Sequence, residues 1–245
     1  MPDTVLITGA SSGIGKALAI EFSRRGYALG LCARRLELLE SLQQELGQNH
    51  AIEIAELDVL DYKAVKEVFL KLAEKLGRVK IIIANAGICE NSLPGECKFD
   101  VDRKVIEINL LGAMATIDAG VEILKKHGNG QIVGISSVAG FRGLSNVPAY
   151  SASKSALSTY MEGIRHHLRK HKIDVTVINP GFIDTAINSN RKFRPFLISA
   201  EKCARLTANM IEKRVMSSTV PLWPWALVSG VVRFIPERIW CRFKI

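Results

Sequence analysis

Seven short apolar runs, rich in β-branched residues, recur along the chain with helix-like stretches between them. Few architectures tolerate that alternation. The strand-like runs fall at 4–8, 28–33, 51–57, 80–84, 131–136, 174–179 and 216–221. Helical patterns lie near 14–25, 36–46, 62–76, 105–126, 149–170 and 200–213. Runs that are apolar throughout rather than alternating, as 28–33 is, belong to strands buried on both faces of a parallel sheet. With right-handed crossovers, a β-α-β-α order predicts an α/β fold: a single-domain, Rossmann-like, doubly wound parallel sheet of about seven strands. Helices then cover both faces. A chain of 245 residues suffices for one such domain. We expect that domain over residues 1–221 and a separate apolar, tryptophan-rich tail over 222–245.

Other classes fit poorly. The net charge of +9 raises nucleic acid as a partner, but its lysines and arginines are spread along helix-like segments. No basic stripe interleaved with aromatics and no helix-turn-helix pattern accompanies them, so no nucleic-acid partner is expected. Five cysteines, odd in number and without a C-x-x-C pair, indicate neither a disulfide framework nor a zinc site. No metal is expected. Met1-Pro2-Asp3-Thr4 leads straight into the first strand, without the basic and long apolar regions of a secretory signal. A cytoplasmic protein with reduced thiols is the expectation.

After the first strand comes Thr8-Gly9-Ala10-Ser11-Ser12-Gly13-Ile14-Gly15, opening a helix. Glycines allow a tight bend and a close backbone approach, and the helix N-terminus offers free N–H groups to a pyrophosphate. Between strand one and helix one of an α/β chain, such a turn predicts a dinucleotide site. The second strand selects the nucleotide. An acid near its end binds the ribose 2′-hydroxyl in NAD-binding folds. Here the strand ends Leu31-Cys32-Ala33-Arg34-Arg35, with two cations and no acid. A guanidinium matches a 2′-phosphate in bidentate fashion, so NADP(H) is predicted, with Arg34 as the favoured ligand. Arg35 fits equally well as the exposed start of the next helix.

Tyr150-Ser151-Ala152-Ser153-Lys154 places a phenol and an ammonium at i and i+4 on one helix face. Carbonyl reduction needs a proton donor, a group that tunes its pKa, and a second hydrogen bond on the carbonyl oxygen. Free tyrosine titrates near 10, and a neighbouring cation favours the phenolate. A move of about three units corresponds to roughly 4 kcal/mol, much of which Lys154 supplies if the nicotinamide charge assists. Ser137, thirteen residues before Tyr150 at the end of the fifth strand, offers the second hydrogen bond. Ligands of open α/β sheets bind at such strand ends.

These stretches, with Asn85-Ala86-Gly87, Asn109, Ile135-Ser136-Ser137 and Pro180-Gly181, stand in the order and spacing of a known family. Over about residues 3–213 the chain resembles the short-chain dehydrogenases/reductases, in an NADP-preferring form. The resemblance implies that Tyr150 is the acid/base and that Lys154 binds the nicotinamide ribose and lowers the tyrosine pKa. It implies that Ser137, rather than Ser136, holds the substrate oxygen, and that Asn109 anchors a water linking Lys154 to solvent. Gly9, Ser11, Ser12, Gly13, Ile14 and Gly15 would cradle the pyrophosphate and Asp58-Val59 the adenine. Asn85, Ala86 and Gly87 would line the cofactor, and Pro180, Gly181, Ile183 and Thr185 its nicotinamide side. A homodimer or homotetramer through the helices containing Asn109 and Tyr150 is also implied. Ala84 replaces the second asparagine of many members. The tail departs from the bacterial ketoacyl carrier-protein reductases, which end in a short glycine-containing segment.

Two segments remain open. The connection 181–198 mixes Phe182, Ile183, Ile187, Phe193, Phe196 and Leu197 with Arg191, Lys192 and Arg194. It reads as a mobile lid, or as a site for a long apolar substrate with an anionic group. The apolar part of the tail, 223–234, reaches roughly 18 Å and cannot cross the ~30 Å of a bilayer core. Its Trp223, Trp225 and Trp240, with Arg233, Arg238, Arg242 and Lys244, suit a subunit interface, a cover for the substrate site, or peripheral membrane contact. Three functions follow: an NADPH-dependent ketone or aldehyde reductase with a hydrophobic substrate, a dehydrogenase of a small hydroxy metabolite, or a non-catalytic NADP(H)-binding sensor or scaffold.

Overall fold

Side chains of a strand alternate between the two faces of its sheet, so a strand apolar at every position needs cover on both sides. The computed structural model describes residues 2–47, 50–93, 95–96, 98–188, 193–232 and 234–240. Strands β1 (Thr4–Thr8), β2 (Ala28–Ala33), β3 (Ile52–Glu56), β4 (Val79–Ala84), β5 (Gly130–Ile135), β6 (Ile173–Pro180) and β9 (Ser217–Val220) build one sheet. Their order is β3-β2-β1-β4-β5-β6-β9, and each neighbouring pair is parallel.

On one face, Val5, Ile7, Leu29 and Leu31 pack with α1 (Gly13–Arg24), α2 (Leu36–Leu46) and α7 (Ala200–Glu212). The intervening Leu6, Ala28 and Cys32 face the opposite core with α3 (Tyr62–Leu76), α5 (Ala113–Lys126) and α6 (Pro148–Arg169). Phe22 and Phe69, one in each core, are fully buried. The strand order reverses between β1 and β4, which opens a crevice at the carboxyl ends of these strands.

Three features differ from the periodicity. The helix expected at 105–126 begins earlier, as α4 (Phe99–Ile106), and passes through a π-helical turn, Glu107–Gly112, into α5. Such turns carry an i→i+5 pattern that residue type does not signal, and they collect at functional sites. The connection after β6 is not bare loop: β7 (Ile183–Asp184) pairs with β8 (Ile198–Ser199), and Arg194 bonds Asp184 at 3.0 Å. Arg191 and Lys192 lie outside the described residues.

The tail contains α8 (Trp225–Val232) and α9 (Glu237–Trp240). Trp225 is buried against Phe182 and Phe196, with ring centroids 5.9 and 5.8 Å away. Leu222, Trp223, Leu227, Val231 and Phe234 remain exposed. Among the described residues no helix is long and apolar enough to cross a membrane. Arg233, Arg242 and Lys244 lie outside the described residues.

Candidate functional site

The glycine turn stays tight because it has to. Gly9 takes φ +70°, and a Cβ there would sit 2.8 Å from the Ala86 Cα. Asn85 locks the two segments, its Nδ2 donating to the carbonyls of Thr8 (2.9 Å) and Gly9 (3.2 Å). Ser12 precedes α1 but makes no side-chain cap to it. Its hydroxyl accepts from Arg35 at 2.9 Å, while Arg35 also donates to Ser11 at 3.1 Å. The Ser12 side chain thus leaves the first turn of α1 uncapped, a setting that suits an anion.

Around this turn the crevice becomes a cleft. Gly9, Ser11, Ser12, Gly13, Ile14, Gly15, Arg34, Asp58, Val59, Asn85, Ala86 and Gly87 line it, with Pro180, Gly181, Ile183 and Thr185. Ser137, Tyr150 and Lys154 line it as well. Arg35 joins Arg34 at its rim, both exposed. That partnership was not readable from the sequence, where Arg35 fitted a helix face equally well. The only hint was two consecutive guanidiniums facing a turn with two serines.

The polar end of the cleft is built from β5 and α6. Pro148 starts α6, which presents Tyr150 and Lys154 one turn apart. Lys154 is buried, and its Nζ donates to the Ile135 carbonyl at 2.8 Å, 5.8 Å from the Tyr150 ring centroid. Burial pushes its pKa down to about 8, against a smaller opposing pull from Cys89. The ammonium form thus still predominates at neutral pH, beside the phenol. Ser136 is taken by the scaffold: its Oγ donates to the Lys154 carbonyl at 2.8 Å and pairs with Ser158 at 2.8 Å. Ser137 Oγ, which accepts from the Ala139 N–H at 3.1 Å, borders the cleft.

Asn109 lies in the π-helical turn, buried and outside the cleft lining. Its Oδ1 accepts from the Ile88 N–H at 2.8 Å, and its Nδ2 donates to the Ile88 carbonyl (2.8 Å) and to Ser153 Oγ (3.1 Å). The amide therefore clamps the chain after β4 onto α6. No cluster of three or more histidine, cysteine or acidic side chains able to hold a metal occurs among the described residues.

The short chain dehydrogenase model matches residues 3–194. This chain belongs to the short chain dehydrogenase family. An uncharacterized oxidoreductase of Mycobacterium tuberculosis is 35% identical over 243 residues, 98% of this chain and 96% of that one. Dehydrogenase/reductase SDR family member 7B of Xenopus tropicalis is 38% identical over 193 residues, 76% of this chain and 62% of that one. An alcohol dehydrogenase of the archaeon Thermococcus sibiricus, solved with 5-hydroxy-NADP, aligns with TM-score 0.82 and 27% identity. The match covers 89% of this chain and 96% of the archaeal one. Carveol dehydrogenase of Mycobacterium avium, solved with NAD, gives TM-score 0.81 and 26% identity, covering 89% of this chain and 95% of that one.

This short chain dehydrogenase is an oxidoreductase, and beside its cleft lies a second cavity of about 200 Å³. Val138, Phe141, Leu144, Phe182, Phe196, Trp225, Val228 and Val232 give it an apolar wall. Ser137, Tyr150 and Gly181 border both spaces. The tail thus helps to wall the cavity that Ser137, Tyr150 and Gly181 border.

Proposed function

We propose that this chain is an NADPH-dependent reductase of a hydrophobic ketone or aldehyde, reversible as alcohol oxidation. The carrying observation is the junction of the two spaces. A polar cleft with an uncapped helix start and two arginines meets an apolar cavity at Ser137, Tyr150 and Gly181. Bound NADPH supplies the hydride. Arg34 and Arg35 bind its 2′-phosphate, the turn from Gly9 to Gly15 its pyrophosphate, and Asp58 and Val59 its adenine end. Pro180, Gly181, Ile183 and Thr185 would border its nicotinamide side, and Asn85, Ala86 and Gly87 line the same cleft. Tyr150 gives its phenolic proton to the carbonyl oxygen as negative charge develops there. Ser137 donates a second hydrogen bond to that oxygen. Lys154 favours the phenolate left behind, and Asn109 is a positioning residue that fixes the neighbouring backbone.

Oxidation of NADPH by a graded panel of ketones and aldehydes, beside NADH and the matching alcohols, tests this reading. Turnover of small charged hydroxy metabolites alone would favour the dehydrogenase alternative. Absence of turnover with every compound would favour a sensor or scaffold.

A pH profile adds a check. Lys154 is charged below about pH 8 and loses its proton as pH rises through that value. kcat/KM for reduction, which reports the free enzyme, should fall above about pH 8. The limb should be missing from the residual activity of Lys154→Met. A wild-type profile flat to pH 10 contradicts the lysine's role.

The outward side of the tail supports a peripheral contact. Leu222, Trp223, Leu227, Val231 and Phe234 are exposed, and no acidic residue lies between Glu212 and Glu237. An exposed apolar patch with basic surroundings suits an anionic membrane surface. The protein should float with anionic vesicles at low salt, less so at high salt, and not at all when truncated after Pro221. If it never floats, and truncation instead turns an oligomer into monomers, the patch is a subunit interface.

A further inference from the structure

The cavity beside Tyr150 has one charged side chain on its wall among the described residues, Arg142. A guanidinium there invites assignment to an anionic substrate, but its donors are directed elsewhere. Nη1 donates to the Val232 carbonyl at 2.8 Å and to the Ile235 carbonyl, and Nη2 bonds Glu237 at 2.8 Å. The guanidinium also lies over the Trp240 ring, 5.0 Å from its centroid. Trp240 Nε1 donates in return to the Gly143 carbonyl at 2.9 Å. A cation at the end of α8 meets carbonyls that the helix itself cannot satisfy. The Arg142 side chain is 16% exposed, and its bonds to the Val232 and Ile235 carbonyls are partly buried, while its bond to Glu237 lies at the surface.

The other end of α8 is seated by shape. Trp225 lies over Gly181, where any Cβ would overlap its indole nitrogen. Gly181 borders both the cofactor cleft and the cavity. The roof therefore rests on the strip where a substrate carbonyl would meet the nicotinamide.

We propose that Arg142 is a positioning residue that latches the C-terminal segment as the roof of the substrate cavity. The latched roof selects a compact, uncharged, apolar carbonyl compound. The cavity, at about 200 Å³, is smaller than the roughly 300 Å³ at which drug-sized sites begin. With Arg142 turned to the tail, no other charged side chain on the described wall answers a substrate carboxylate or phosphate. The substrate half of the proposal rests on the carbonyl-reductase reading; the latch does not.

The test uses the full chain with Arg142→Met, Trp240→Leu and Trp225→Ala. Native-state chymotrypsin cleavage of the tail reads the latch without turnover. Arg142→Met and Trp240→Leu should each speed it by about tenfold, the effect of losing roughly 1.4 kcal/mol from a local closing equilibrium. NADPH affinity should stay within about twofold. Selectivity reads the roof. KM for cyclohexanone should rise about tenfold in Arg142→Met and Trp225→Ala, with kcat changed far less, while KM for 2-decanone stays level or falls.

Unchanged cleavage in both latch variants overturns the latch. A KM increase confined to a 2-keto acid overturns the roof's selectivity and makes Arg142 an anion ligand. If the wild type reduces no carbonyl compound, the carbonyl-reductase reading falls, and cleavage still decides the latch. Should Arg142→Met fail to fold, Trp240→Leu carries the same comparison.

Discussion

Replacing Tyr150 by phenylalanine is expected to abolish carbonyl reduction while NADPH binding survives. The ring and its packing persist, and only the proton is lost. A general acid contributes about 10²–10⁴-fold, so kcat should fall by at least about a hundredfold. Lys154→Met should damage binding and turnover together, because Lys154 is buried between β5 and α6 and anchored to Ile135. Parallel measurement of NADPH affinity and kcat separates the two outcomes. Retention of more than about a tenth of wild-type activity in Tyr150→Phe contradicts the assigned role.

The second large effect concerns the rim of the cleft. A charge-assisted hydrogen bond contributes about 1.5–3 kcal/mol, so Arg34→Ala should weaken NADPH binding roughly ten- to a hundredfold. NADH binding should barely change. Arg35→Ala is expected to differ in kind. Arg35 also braces Ser11 and Ser12 of the turn, so both cofactors should lose affinity, NADPH more than NADH. Equal dissociation constants for the two cofactors in the wild type contradict this account of β2 and its arginines.

Much of this arrangement is legible in the sequence because its physics is local. Strands such as Thr4–Thr8 and Ala28–Ala33 carry their burial in every residue, and the helices Leu36–Leu46 and Tyr62–Leu76 coincide with their periodicity. The glycine turn announces a close approach that Gly9 and Ala86 then realise. Tyr150 and Lys154 are spaced by helix geometry alone.

What stayed hidden depends on long-range partners. The π-helical turn at Asn109 is signalled by no residue preference, and the amide it carries meets Ile88 and Ser153, far away in sequence. Arg35 declares itself only when Ser11 and Ser12 arrive beside it. The tail was readable as apolar and short, but its inward side could not be inferred. Trp225 is buried by Gly181, Phe182 and Phe196, and Arg142 reaches Val232, 90 residues further along the chain. No local pattern encodes those meetings.

Hydride transfer from NADPH to a carbonyl carbon can be followed by isotope transfer. The protein would be incubated with cyclohexanone and NADPH deuterated at one or the other C4 position, and the product alcohol analysed by mass. One of the two labelled cofactors should place a deuterium on the carbinol carbon, and Tyr150→Phe should form almost no labelled product. Unlabelled alcohol from both cofactors, or label transfer undiminished in Tyr150→Phe, would contradict it.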